Sequence, residues 1–465
     1  MKKYFIIFLC SIAVICFAVG SCNDKEKDPC ETNPQPGCPN YVDPCETTPQ
    51  PGCPNYVDPC ETNPQPGCPN YVDPETPSLA GSLTLGATAC TVDSVSIEKV
   101  DDGLWYFYVQ LKNAGLPLVI HTLRYTTDAA GYGVEAWSGH DSIMGKERPS
   151  AMVNRYEQAG REVKVAINGG FYGTAVDGTP VGMEVINGMT AFLPSPEGLW
   201  PVVGFDAQNL PYIDSVVVKA GVKDKDNREL AITSINGTRW ADYLVLYNSH
   251  RGKRTGANEW GTEALCVPMT AQWEKQGNYL NVRCRIEKIE SMNGKRSMAI
   301  PKGKIVLSGN GAAHTYLSAL QEGDDVYVTV DYTLKSNPAV NSTVLRNAVN
   351  GLHIILRDGN ELPIPSILGD GDKNMLAADN PRTSVGYSAD RKYVYFTVVE
   401  GRRAGISEGV STPELAQVMK YFGAANAINL DGGGSSCLMI GKETKNYCSD
   451  GSQRAVADGL AIIKK

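Results

Sequence analysis

Histidine is scarce in this chain. Five occur among 465 residues, scattered at 121, 140, 250, 314 and 353, and there is no H-E-x-x-H. A zinc hydrolase needs ligands clustered at fixed spacing, so the sequence argues against that class. Basic charge is not in excess either: 43 lysines and arginines face 51 acids, a net −8. Beyond residue 78 the balance is 39 bases to 41 acids. Nucleic-acid binding needs a basic face, which this near-neutral body lacks. No lysine follows Gly432-Gly433-Gly434, so there is no Walker A loop. Past residue 21 no apolar run is long enough to cross a bilayer. The rest is globular in composition, 42% hydrophobic and 20% charged, with length for two or three domains.

The first residues read as an export signal. Met1-Lys2-Lys3 is basic, Tyr4 to Val19 is apolar, and Gly20-Ser21 supplies small residues before Cys22. Val19-Gly20-Ser21-Cys22 resembles the lipobox of bacterial lipoproteins. That implies removal of residues 1–21, lipid on Cys22, and a membrane-anchored protein outside the cytoplasm, in the periplasm or at the cell surface. The other reading is an uncleaved anchor, because the run approaches the shortest span of ~17 residues.

Residues 22–78 form a spacer. Asp28–Val42, Asp43–Val57 and Asp58–Val72 repeat one 15-residue unit, with Thr48 replacing an asparagine in the middle copy. Each copy has four prolines, two cysteines and almost nothing to bury, which predicts an extended, polyproline-like stalk. Cysteines 30, 38, 45, 53, 60 and 68 lack zinc-finger spacing and are expected in short-range disulfides outside the cytosol.

The body divides into a strand-rich part, 79–160, and a larger part, 161–465. Stretches rich in Val, Ile, Tyr and Phe recur, among them Leu104–Leu111, Leu118–Tyr125, Glu162–Ile167, Leu244–Tyr247 and Tyr393–Val399. Clear helices are fewer. This predicts an α+β fold, a mixed β-sheet body with flanking helices. Ser411-Thr412-Pro413-Glu414 is a capping-box pattern. Leu415, Val418, Met419 and Phe422 then share one helical face, and Gly423 ends the helix. The strand Ala424–Leu430 leads into Asp431-Gly432-Gly433-Gly434. An earlier stretch repeats the design: a helix capped by Ser150, Gly160, the strand Glu162–Ile167, then Asn168-Gly169-Gly170. Two matched helix–strand–glycine-loop units at strand ends predict one shared site.

Ala427-Ile428-Asn429-Leu430-Asp431-Gly432-Gly433-Gly434-Ser435-Ser436 resembles the signature of the phosphodiester glycosidase family. Other stretches agree in order: Ala166–Phe171, Gly178–Gly182, Asn236–Arg239, Leu244–Tyr247, Gly351–Gly359, Pro381–Gly386 and Glu400-Gly401-Arg402. The resemblance covers Arg161 to Ile463. It departs at Glu400, where the family usually has Asp, and is weak over 79–160. It implies a hydrolase that cleaves the C1–O bond of a sugar-1-phosphodiester, on glycan or cell-envelope substrates. Free sugar and a phosphate monoester would be the products.

That chemistry needs a carboxylate and cations. The leaving phosphate monoester has a second pKa near ~6 and needs little proton donation. Asp431 is the expected carboxylate, and Arg382 the expected phosphate clamp, because a guanidinium holds two oxygens. Arg402 is a second clamp. Asn168 is expected to hold a sugar hydroxyl, with Gly169, Gly170, Gly432, Gly433, Gly434 and Ser435 completing the binding set. Glu184 and Asp206 are weaker candidates for a second carboxylate. The residues call for no cofactor and no metal. A glycan-binding surface lipoprotein without turnover is the competing class.

Gly405-Ile406-Ser407-Glu408-Gly409 matches G-x-S-x-G, but no strand runs directly into it and every histidine precedes it, so a nucleophile elbow is not expected. Body cysteines 90, 266, 284, 437 and 448 are odd in number. Cys266–Cys284 or Cys437–Cys448 would be bridged if its Cα atoms lie within ~7 Å.

Overall fold

The computed structural model describes residues 76–465 apart from 113–116, 174–177, 196–199, 270–278, 294–296 and 337–344, together with scattered residues between 36 and 68. The chain forms two compact units, Met1–Thr76 and Pro77–Lys465. Cys22 and the signal-like run lie outside the described residues. In the first unit Cys60 and Cys68 are bridged, with Cα atoms 5.3 Å apart, and Cys38 and Cys53 are also disulfide-bonded. The Cys60–Cys68 bridge pairs at short range, as the repeat spacing suggested. A four-residue helix, Pro59–Thr62, lies among the described residues there, where an extended stalk was expected.

The second unit is dominated by strands. Leu104–Leu111, Leu244–Tyr247 and Tyr393–Val399 form over the residues their composition picks out. Instead of one mixed sheet there are three large ones, of 12, eight and five strands, plus a hairpin, Ser82–Leu85 with Thr88–Thr91. Among the described residues the one parallel pair of strands is Ser234–Ile235 with Leu244–Tyr247. The physical reason is connection length: antiparallel neighbours close through short turns, whereas a parallel pair needs a long crossover, usually a helix. This sequence has few helices to spend on crossovers.

Two of the sheets position the site. The eight-stranded sheet carries Asn426–Asn429 between His353–Arg357 and Arg382–Tyr387. The five-stranded sheet carries Glu162–Asn168 between Leu438–Ile440 and Asp458–Lys464. One hydrophobic cluster joins them: Val165, Ile167, Leu438 and Leu460 pack with Val385, Ile428 and Leu430. Burying side chains of this size stabilises by about 1.5–3 kcal/mol each, so the two sheets are held as one body.

The helix Thr412–Tyr421 has the capping box that its sequence spells. Glu414 N–H donates to Ser411 Oγ, and Ser411 N–H donates to the Glu414 carboxylate. Leu415, Val418 and Met419 are buried against Ile355, Leu356 and Ala427. Gly423 then takes φ +99°, a conformation that L side chains avoid. The matching helix runs Pro149–Gln158, with Arg148 at its N-cap and no side-chain cap. Ser150, expected as the cap, lies inside the first turn; proline at the first position already fixes φ there.

The five body cysteines are free and buried. Cys266 and Cys284 sit on neighbouring strands but out of register, paired with Ile286 and Pro268 respectively. Neither expected bridge is present. Alkylation mapped by mass spectrometry should therefore label all five only after unfolding. A bridged peptide from residues 266 and 284 would contradict this register.

Candidate active site

The two glycine turns meet, although their strands belong to different sheets. Asp431 N–H donates to the Gly169 carbonyl at 3.0 Å, and Asn168 Nδ2 donates to the Asp431 carbonyl at 2.7 Å. Asn168 Oδ1 accepts from Thr383 Oγ1 at 2.9 Å and from Cys437 N–H at 3.0 Å. Asn168 is fully buried. Its amide is consumed by protein groups, so it positions both turns and does not offer itself to a sugar hydroxyl. The first glycines are corrected in the same way. Gly169 N–H donates to the Asp458 carbonyl and Gly170 N–H to Asp458 Oδ1, at 2.9 and 2.6 Å. Those donors face the protein, because a buried amide must be paired.

The Asp431 carboxylate is half-buried. Burial pushes its pKa up to about 6, against the opposing pull of the Ser435 hydroxyl, Arg454 and the Gly432 N–H. A carboxyl so placed changes charge near neutrality, as a general acid or base should. Ser435 is buried and lies in contact with Asp431, with the Tyr172 hydroxyl and with Arg454 Nη1, the last at 3.4 Å.

Two cations flank the Gly432–Gly434 turn. Arg454 is held by Asp450 through Nε at 2.9 Å and Nη2 at 2.8 Å. A Cβ on Gly434 would lie 2.1 Å from Asp450 Oδ2 and 2.3 Å from Arg454 Nη2, so only glycine lets this pair come so close. On the other side Arg402 is exposed, takes φ +60°, and donates from Nη2 to Asn380 Oδ1 at 2.9 Å. A Cβ on Gly433 would be 3.0 Å from that Nη2. The Gly433 N–H is spent on the Pro381 carbonyl at 2.8 Å, while the Gly432 N–H lies on the Asp431 carboxylate.

Arg382 has a different place from the one its motif suggested. It is 3% exposed; Nε donates to the Val410 carbonyl, and Nη2 to the carbonyls of Met375, Leu376 and Ala378. It thereby caps the end of the helix Asp370–Ala377. Burial lowers its pKa to about 10.

Glu400 is buried and bonded to His121 Nε2 at 2.9 Å, to Tyr447 N–H at 2.6 Å and to Arg403. Burial alone would raise its pKa, but these partners hold it below the usual value. By gripping Tyr447, Glu400 anchors the segment that leads to Asp450 and Arg454. Asp206 is a turn acid that accepts the N–H groups of Gln208 and Leu210. Glu184 is fully buried. Ser407 is buried as well, donating to the Glu400 carbonyl and accepting from Val119 N–H, so it is no nucleophile.

Sequence reasoning missed Arg454, Asp450 and Tyr172. Arg454 is a lone arginine with no local pattern, and its nearness to Asp431 comes from the fold. Among the described residues no group of three or more His, Cys, Asp or Glu side chains could hold a metal ion, and no helix is long and apolar enough to cross a membrane.

Residues 280–463 match the family model described as phosphodiester glycosidase. The SPbeta prophage-derived uncharacterized protein YomE of Bacillus subtilis (strain 168) is 37% identical over 87 residues, 19% of this chain and 13% of that one. A protein of Burkholderia pseudomallei K96243, described as a candidate exported protein, superposes with a TM-score of 0.64 at 18% identity, over 83% of this chain and 99% of that chain. A hypothetical protein from Synechocystis superposes with a TM-score of 0.61 at 15% identity, over 80% of this chain and 64% of that chain. These identities establish a shared fold and nothing finer. The zebrafish N-acetylglucosamine-1-phosphodiester alpha-N-acetylglucosaminidase catalytic domain aligns with a TM-score of 0.40, which carries no argument.

Proposed function

From the match of residues 280–463 to the phosphodiester glycosidase model we propose that the chain hydrolyses the C1–O bond of a sugar-1-phosphodiester. Free sugar and a phosphate monoester are the products. The observation that carries this reading is the half-buried Asp431 carboxylate, with a pKa raised to about 6, set between Arg402 and Arg454. As a carboxylate, Asp431 assists the water that attacks C1 or stabilises the oxocarbenium-like state. The two guanidiniums attract the phosphate and stabilise the charge that grows on it as the bond breaks. The departing monoester needs little protonation, which suits a site with the Asp431 carboxylate beside two guanidiniums, one of them paired with Asp450. Asn168 acts at one remove, by fixing the Asp431 turn, while Arg382 holds the end of the helix Asp370–Ala377.

A panel of sugar-1-phosphodiesters, assayed for reducing sugar and phosphate monoester together, tests the reading. Equal release of both from at least one substrate is expected. Ligand binding across the panel with no release from any member would favour a glycan-binding role instead.

The proposed setting is a lipid anchor outside the cytoplasm. Its motivation is Cys22 in its lipobox-like context, together with disulfides in the repeats. Cys22→Ala should shift the protein from the membrane fraction to the soluble fraction. Full retention with membranes would remove the anchor from the account.

A further inference from the structure

The Asp431 site is backed by a second acidic group of residues that the chemistry above does not use. Glu184 opens the strand Glu184–Ile186, and Asp458 opens the strand Asp458–Lys464. Both are completely buried. Asp458 Oδ1 accepts the Gly170 N–H at 2.6 Å, and Glu184 Oε1 accepts the Ser138 hydroxyl at 2.7 Å. Ser138 stands directly opposite Asp458 in the strand register, so it brings the two carboxyls to one place. Each then has one oxygen left over. Asp458 Oδ2 and Glu184 Oε2 are both buried without a hydrogen-bond partner.

No cation compensates them. Among the described residues neither enters an ion pair. Arg155, whose Nη2 reaches the Ser138 carbonyl, is committed to Glu147 and Asp141. Lys164, Glu162, Lys464 and Glu135 ride on the adjoining strands, toward their other ends: Lys464 is opposite Glu162, and Glu135 is opposite Ala461. The strand Asn347–Asn350 brings no ionisable group. The charged group that bears on Asp458 from outside the pair is Asp431, another acid. Two buried carboxylates without a cation cannot both stay ionised.

We propose that Glu184 and Asp458 share one proton between Oε2 and Oδ2, and that this pair holds the Asn168–Gly170 turn in place behind Asp431. One carboxyl donates an O–H to the other's carboxylate, which satisfies both orphan oxygens. The proton is kept from solvent as the chain folds, so no other reactant is needed. The Asp458 carbonyl and Oδ1 grip the N–H groups of Gly169 and Gly170, and the Gly169 carbonyl grips Asp431 N–H. A Cβ on Gly169 would lie 2.2 Å from Asp458 Oδ1, so the contact tolerates no larger residue. Glu184 and Asp458 are positioning residues. Burial raises both pKa values, that of Asp458 to about 7, and the pair titrates as a unit.

The sign of the pH effect follows. A carboxyl whose pKa is raised on folding contributes stability below its unfolded pKa and loses it as pH rises through the folded value. Wild type should therefore lose thermal stability from about pH 4, the unfolded carboxyl range, up through about pH 7, as the unfolded chain gives up a proton that the folded pair still holds. Glu184→Gln supplies a permanent N–H donor in the proton's place. Its Tm should gain on wild type steadily across that window, and the infrared band of a buried protonated carboxyl should vanish. Asp458→Asn gives an independent second variant, which should also lose the band; Asp431 is present in every sample and cancels in the difference spectrum. These readouts do not depend on turnover, so they stand apart from the proposed reaction. An unchanged carboxyl band in both variants would overturn the proposal. So would a Tm difference between Glu184→Gln and wild type that stays constant with pH.

Discussion

Asp431→Asn should lower kcat on a cleaved sugar-1-phosphodiester by roughly 10²-fold or more, the usual effect of losing a positioned acid or base. The substitution keeps the shape of the side chain. Its backbone contacts to Gly169 and Asn168 involve main-chain atoms and survive. What it loses is the charge and the basicity. The pH profile gives a sharper reading. With the Asp431 pKa raised to about 6 by burial, activity that needs the carboxylate should rise with pH through that value. The acidic limb should be missing from the residual activity of Asp431→Asn. Ligand binding should persist in the variant, since the guanidiniums of Arg402 and Arg454 are untouched. A variant that retains near wild-type kcat would remove Asp431 from the chemistry.

Arg382→Ala should destabilise the fold, by about 3 kcal/mol or more, since hydrogen bonds to charged groups contribute ~1.5–3 kcal/mol each. Four carbonyls, of Val410, Met375, Leu376 and Ala378, share this one guanidinium. Removing it leaves buried acceptors at a helix end with no donor. Arg382→Lys keeps a charge but not the fork that reaches both sides, so a smaller loss is expected. The urea midpoint measures both. The folded Arg382→Lys protein should keep kcat within several-fold of wild type. A 10²-fold loss at unchanged stability, of the size found for a direct transition-state contact, would return Arg382 to the role of phosphate clamp.

The contrast between Arg382 and Arg454 indicates what the sequence could reveal. Arg382 sits in a recognisable Pro-Arg-Thr motif, and the motif locates it near the site. Whether its guanidinium faces a ligand or a helix end depends on the Asp370–Ala377 helix packed beside it, which no motif describes. Arg454 has no motif and emerges only because the 446–454 segment folds back along the glycine turn, held by Glu400 at Tyr447. Local signals were legible where local physics decides. The capping box at Ser411 and Glu414, the apolar face of Leu415, Val418 and Met419, and the left-handed Gly423 are all set within a few residues. The sheet partition was not legible, because Glu162–Asn168 pairs with Asp458–Lys464 at the far end of the chain. The same distance hid the roles of Asn168, Gly169 and Gly170: their glycine-rich pattern reads as a ligand cradle, yet their polar groups meet Asp431 and Asp458. Of the paired turns, the Asp431 turn is the one proposed to carry the chemistry, and the Asn168 turn holds it in place.

The position of bond cleavage is the most direct test of the proposed reaction. Hydrolysis in oxygen-18 water, with both products analysed by mass spectrometry, reads it in one experiment. Attack of water on C1, assisted by Asp431, predicts label in the free sugar and none in the phosphate monoester. Label in the phosphate would mean cleavage of the phosphorus–oxygen bond and would contradict the account.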